Sequence, residues 1–220
     1  MCGLIRAGVL AFGVAVFALT TGCASDGGRT EESQKTTTSL RDTRQELVKA
    51  KGEVNDASTA LSKLQAGGNL DQSFKQYTAA VKDVQAAGQR ARERAQAWRD
   101  NSRQYVAKWE KEMEQVQSPE LRAGAAARRQ RVKDGFEDVI TSGRSVREAY
   151  QPYLKSLQDI QRALASDLNP AGVAAAGPAM DKAKADGAAL NERLDALIAK
   201  LDTIAAGMSG TTAPQAKGAQ

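Results

Sequence analysis

At 220 residues the chain has room for one ordinary domain or two small ones. It is 41% hydrophobic but only 5% aromatic, and its 31 cationic and 26 anionic side chains, net +5, are interspersed rather than blocked, which points to helices with a solvated surface and at most a weak preference for anionic partners. Histidine is absent and both cysteines, Cys2 and Cys23, lie near the N-terminus, so histidine-assisted catalysis, a histidine metal centre and a disulfide in the body of the chain are excluded.

Residues 1–22 read as an export signal. One cation, Arg6, precedes an apolar stretch over residues 7–19, which is too short to span a bilayer as a stable helix and suits a signal-peptide core. Leu19, Thr20, Thr21 and Gly22, followed by Cys23, resemble the bacterial lipobox, with the leucine one residue further back than that motif puts it. The resemblance implies a diacylglyceryl group on Cys23, cleavage on its N-terminal side, and firm anchoring by two or three acyl chains. The competing reading is ordinary signal-peptidase cleavage after Ala24. By the same resemblance Ala24, where Asp would favour inner-membrane retention, implies the periplasmic face of the outer membrane. Residues 23–34 offer almost nothing apolar to bury and are expected to form a flexible tether; residues 209–220 are expected to be a disordered tail.

Between these segments, residues 35–208 carry four runs of seven-residue periodicity, the mark of helices packed lengthwise. In the first, Leu40, Leu47, Val54 and Leu61 form one row and Thr43, Ala50, Ala57 and Leu64 the other, until Gly67-Gly68-Asn69 breaks the pattern. The second aligns Leu70, Tyr77, Val84, Ala91, Trp98 and Tyr105 beside Phe74, Val81, Gly88, Ala95, Ser102, Trp109 and Val116. It stops at Ser118-Pro119-Glu120, where serine suits an N-cap, proline the first helical position and glutamate the positive end of the helix dipole. Val132, Val139, Val146, Tyr153 and Ile160 run beside Phe136, Gly143, Tyr150, Leu157 and Leu164 in the third, with Pro152 expected to bend it near Glu148. Asn169-Pro170 ends that run. Val173, Met180, Gly187, Leu194 and Leu201, beside Ala176, Ala183, Leu190, Leu197 and Ile204, make the fourth.

Connections this short force antiparallel neighbours. The expected fold class is all-α: an antiparallel bundle of four long coiled-coil-like helices, the outer two about 55 Å and the middle two about 70 Å long. Helices two and three then project as a hairpin at the Ser118-Pro119 end, where the tether also enters. Lys108, Lys111, Arg122, Arg128, Arg129 and Arg131 gather near that tip, a candidate contact for anionic lipid headgroups or a partner; a solvated surface balanced by Glu110, Glu112 and Glu114 is the plainer reading. The seam glycines Gly88, Gly143 and Gly187 are expected to admit bulky neighbours, with Gly143 close to the level of Trp98.

The stretch Pro152-Tyr153-Leu154-Lys155-Ser156-Leu157-Gln158-Asp159, then Leu164, Leu168-Asn169 and Val173, resembles the signature of the bacterial family called domain of unknown function 2959, and Trp109-Glu110 and Leu121-Arg122 also fit. Where that family usually has Lys-His-Asn before the Leu-Asn pair, this chain has Ala165-Ser166-Asp167. The resemblance implies an exported helical protein of unassigned function.

Trp98, Tyr105 and Trp109 lie among Arg90, Arg92, Arg94, Arg99 and Arg103, an arrangement seen in nucleic-acid grooves. All three occupy seam positions, which favours core packing, and no nucleic-acid partner is expected. Pairs such as Glu110 and Glu114, or Asp134 and Asp138, share helix faces without the Glu-x-x-His pattern of a di-metal bundle. With no metal, cofactor or catalytic residue to nominate, the sequence reads as a non-enzymatic, lipid-anchored envelope protein acting as a helical scaffold or interaction module, through an envelope partner or self-association. The alternative is a membrane or polyanion binder working through the basic tip.

Overall fold

The computed structural model describes residues 26–208, with side chains described from Glu31 onward. The export signal, Leu19, Thr20, Thr21, Gly22, Cys23 and residues 209–220 lie outside the described residues. Among the described residues the chain forms four α-helices and no strand: α1 (Asp26–Gln65), α2 (Leu70–Glu114), α3 (Pro119–Ser166) and α4 (Pro170–Met208). Neighbours in sequence pack as neighbours in space, α1 closes against α4, and no diagonal pair touches, so this is an up-down-up-down bundle.

The turns follow local backbone chemistry. Gly67 and Gly68 sit at φ 78° and 87°, the left-handed region that glycine enters without a Cβ clash, and they carry the chain out of α1. Asn69 then caps α2, its side chain accepting from the Gln72 amide at 3.0 Å. Ser118 caps α3 in the same way, accepting from the Leu121 amide at 3.3 Å, with Pro119 at the first helical position. At the third turn the Asn169 side chain accepts from the amides of Ala171 and Gly172, both at 2.9 Å. Both Pro152 and Pro178 lie inside helices that continue through them.

Burial follows the heptads. Leu61, Leu64, Tyr77, Tyr153, Leu157, Met180 and Leu201 are fully enclosed, and no seam residue of the four runs is exposed. Two phenols tie helices together from inside: Tyr77 Oη donates to the Leu157 carbonyl at 2.6 Å, and Tyr153 Oη to the Val54 carbonyl at 3.4 Å. Gly88 and Gly187 make room for Tyr150 and Tyr153 respectively, as their seam positions require.

Two expectations need correction. The tether expected over residues 23–34 is helical from Asp26 onward. Apolar burial alone misjudged this stretch, because a growing helix adds turns at little cost once nucleated. Lys35 bridges back to Glu31 at 2.8 Å and to Glu32 at 3.6 Å, and the fully buried Thr36 donates to the Asn101 carbonyl of α2 at 3.3 Å. Gly143, expected to admit a bulky neighbour, has none: nothing lies within 4 Å of the place a Cβ would occupy. Trp98 instead packs edge-on against Phe136, with ring centroids 5.6 Å apart and planes at 85°.

The register locates the projecting tip. Along α1 and α2, Glu46 meets Arg90 and Asp42 meets Arg94, so the start of α1 lies beside the last turns of α2. On the other side Ile204 packs at Gly135, so Met208 ends about one turn beyond, near Arg131. The α2–α3 hairpin therefore extends roughly three turns past the end of α4, with α1 alongside part of it.

Candidate functional site

The hairpin tip holds six cations and four carboxylates between Val106 and Arg131. The fold draws part of this cluster inward. Trp109 is buried, Arg128 lies over its ring at 5.6 Å, and Tyr105 packs against it at 5.7 Å. Glu110 holds both Arg129, at 3.6 Å, and Lys133, at 3.4 Å. Lys108 is half-buried, and its charge helps to hold the Glu31 carboxyl below its usual value, after the larger effect of Lys35. Lys111, Arg122 and Arg131 are exposed. Seven residues apart, Arg122 and Arg129 share one side of α3, whereas Arg131 falls on the opposite side. The cations thus cluster at one end of the molecule without forming one continuous face. Beside them Leu121 is 67% exposed, whereas every other described leucine is buried or half-buried. Glu120, at the start of α3, accepts from Ser118 Oγ at 2.8 Å; its own backbone amide and that serine lower its pKa.

A second feature lies in mid-bundle, where α2 and α3 make the least contact of any neighbouring pair. Small residues, Gly88, Ala91 and Ala95 on α2 and Gly143 on α3, leave a slot there of about 240 Å³, floored by leucines of α1 and α4 such as Leu47, Leu194 and Leu201. Gly88 and Tyr150 stand at one end, where Tyr150 Oη donates to the Val84 carbonyl at 3.2 Å; Trp98 stands near the other. Four arginines line the slot, Arg92 and Arg99 from α2 and Arg144 and Arg147 from α3, and no carboxylate does.

Those arginines differ from their neighbours. Arg90 and Arg94 reach carboxylates of α1 at 2.6 and 3.8 Å, and Arg103 reaches Asp100 at 4.0 Å. By contrast, Arg92, Arg99, Arg144 and Arg147 have no carboxylate within 4.0 Å among the described residues. Two buried polar atoms at the slot also lack a hydrogen-bond partner: Nε1 of Trp98, a residue only 2% exposed, and Nε of Arg99. Burial pushes the Tyr150 phenol up, and the facing Arg92 charge only partly offsets this. The phenol is therefore neutral at physiological pH and can donate.

The slot escaped the sequence reading, although a signal for it exists. Each of the four arginines directly follows a seam residue, after Ala91, Trp98, Gly143 and Val146, and three of those seam residues are small or only half-buried. Trp98 and Trp109 are buried, as seam positions require, and Arg90, Arg94 and Arg103 are engaged with acids. Of the carboxylate pairs, Glu110 is taken up by cations and Asp134 accepts from Gln130 at 2.7 Å. Among the described residues no helix is long and apolar enough to cross a membrane.

No curated protein and no solved structure matches the chain. The family described as "Protein of unknown function (DUF2959)" matches residues 30–208, nearly the whole of the four helices, and the chain belongs to that family.

Proposed function

We propose that the protein is a non-enzymatic, lipid-anchored component of the cell envelope, a helical rod that spaces or engages another envelope component. The observation that carries this reading is the start of α1 at Asp26, only three residues beyond Cys23. An acyl group on Cys23 would then join almost directly to a rigid helix, at the same end of the bundle as the hairpin tip. Cys23 is the proposed lipidation site, and the outer membrane's periplasmic face the proposed location. Most large apolar side chains of the described residues are buried between the four helices, which suits a spacer. Metabolic labelling with an alkyne fatty acid tests the anchor: the wild-type chain takes up label and the Cys23→Ala variant does not. A wild-type chain without acyl label would remove the reading.

A second reading is favoured by Leu121, an exposed apolar side chain next to Arg122 at the projecting tip. An apolar residue next to a cation suits the interface of an anionic bilayer. Co-sedimentation with anionic vesicles would compare the wild type with a variant carrying Leu121→Ser and Arg122→Glu. Equal binding by the two would rule the tip out.

A further inference from the structure

We infer that the slot between α2 and α3 is a binding site for a single-chain anionic amphiphile, its acyl chain lying among the leucines and its head group held by Arg92, Arg99, Arg144 and Arg147. This goes beyond the anchored-rod reading and stands whether or not Cys23 is acylated.

Three independent observations converge on that chemistry. The first is size and shape. A dry apolar cavity of about 150 Å³ accommodates benzene, so 240 Å³ accommodates a chain of about ten carbons. From Gly88 to Trp98 the slot runs along ten residues of α2, about 15 Å, which matches an extended chain of that length better than a compact ring system.

Charge is the second. Four arginines line the slot, Arg99 half-buried and the other three exposed, with no carboxylate among the lining residues and none within ion-pair reach; Arg99 Nη2 donates to Gln96 Oε1 at 2.7 Å. Beside Arg90, Arg94 and Arg103 of α2, which all reach acids, this cluster of four arginines without one favours a negative head group, because a carboxylate or phosphate pairs with arginine through short, charge-assisted hydrogen bonds.

Hydrogen-bonding capacity is the third. A buried donor without an acceptor is costly, and two are found at the slot: the indole N–H of Trp98 and Nε–H of Arg99. An anionic head group reaching either donor would supply the acceptor it lacks. A neutral lipid would leave the arginines unmatched.

The protein carries its own reporter, since its two tryptophans are Trp98 in the slot and Trp109 at the tip. The experiment uses the full 220-residue chain with Trp109→Phe, so that fluorescence arises from Trp98 alone. Decanoate and decyl phosphate brominated at the chain terminus are added below their micelle-forming concentrations, with brominated decanol as the neutral comparison. Saturable quenching by the two anions, at least tenfold tighter than by the alcohol, is the expected result, and their ranking tells carboxylate from phosphate. Gly143→Leu fills the slot from a position with free space around it and should abolish saturable quenching, while Gly143→Ala should retain it. Changing Arg99 and Arg147 together to Gln should weaken the anions about tenfold and leave the alcohol unchanged. Circular dichroism checks that each variant is helical. Absent or non-saturable quenching, equal affinity for alcohol and anion, or quenching indifferent to Gly143→Leu overturns the inference; the first of these would leave the slot to a helix of a partner or of a second copy.

Discussion

The same substitution, glycine to alanine, should have opposite effects at two positions of the α2–α3 seam. In a helix interior alanine is favoured over glycine by roughly 0.5–1 kcal/mol, mostly through the unfolded chain's entropy. At Gly143 a Cβ meets nothing within 4 Å, so Gly143→Ala should collect that gain in full, about 1 kcal/mol. At Gly88 the added carbon would stand 2.2 Å from Tyr150 Oη, 2.3 Å from Cζ and 2.8 Å from Cε2. A rigid ring contacted at three atoms has to swing away. That motion breaks the 3.2 Å bond to the Val84 carbonyl, worth about 1 kcal/mol, and unpacks a half-buried phenol, worth about 1 kcal/mol, roughly half the value for full burial. After the helix gain is subtracted, Gly88→Ala should be less stable by about 1 kcal/mol. Urea unfolding followed by helical ellipticity gives both numbers, provided the slope is unchanged between variants. For a folded region of this size, 1 kcal/mol corresponds to about 2–4 °C in the melting midpoint. In a Tyr150→Ala background the clash is gone, and Gly88→Ala should turn stabilising. If Gly88→Ala stabilises the wild-type chain, or Gly143→Ala destabilises it, the assignment of filled and open seam positions is wrong.

Burial pushes the Tyr153 phenol up to about 12 and the Tyr77 phenol further in the same direction, so the unfolded chain loses these protons before the folded one does. Their contribution to stability is complete below the unfolded value near 10 and disappears as the pH rises through 12; Tyr153→Phe should flatten that decline, as read by urea midpoints from pH 9 to 12. Ser118→Ala removes the acceptor for the Leu121 amide and should cost about 1 kcal/mol, with a melting point lower by about 2–4 °C and the thermal transition otherwise unchanged in shape.

The helices were legible because each run has one apolar stripe, and a stripe repeating every seven residues has a single economical partner, another such helix. Turn chemistry was equally plain: Gly67-Gly68, Ser118-Pro119 and Asn169-Pro170 act locally, and their geometry owes little to the rest of the chain. The start of α1 was misplaced because burial was taken as the measure of helix, whereas residues near Glu31 and Lys35 are held by ion pairs and by continuity with the turn that follows. The slot was missed for a different reason. A heptad marks which residues face inward but not how far two helices stand apart, and that separation depends on side chains meeting across the seam, as when Tyr150 takes the space beside Gly88 while Gly143 keeps its space open. Likewise, the basic cluster at the tip was visible in composition, but its partial neutralisation by Glu110 required the register of α2 against α3.

Because α4 ends near Arg131, the last turns of the α2–α3 hairpin have fewer helices to lean on than the middle of the bundle. Their amides should therefore exchange with solvent through local opening, well ahead of those around Tyr77 and Leu157. The molecule then combines a slowly exchanging trunk with an end that can fray and re-form without unfolding the rest, leaving Leu121 and Arg122 on the part most able to adjust its shape.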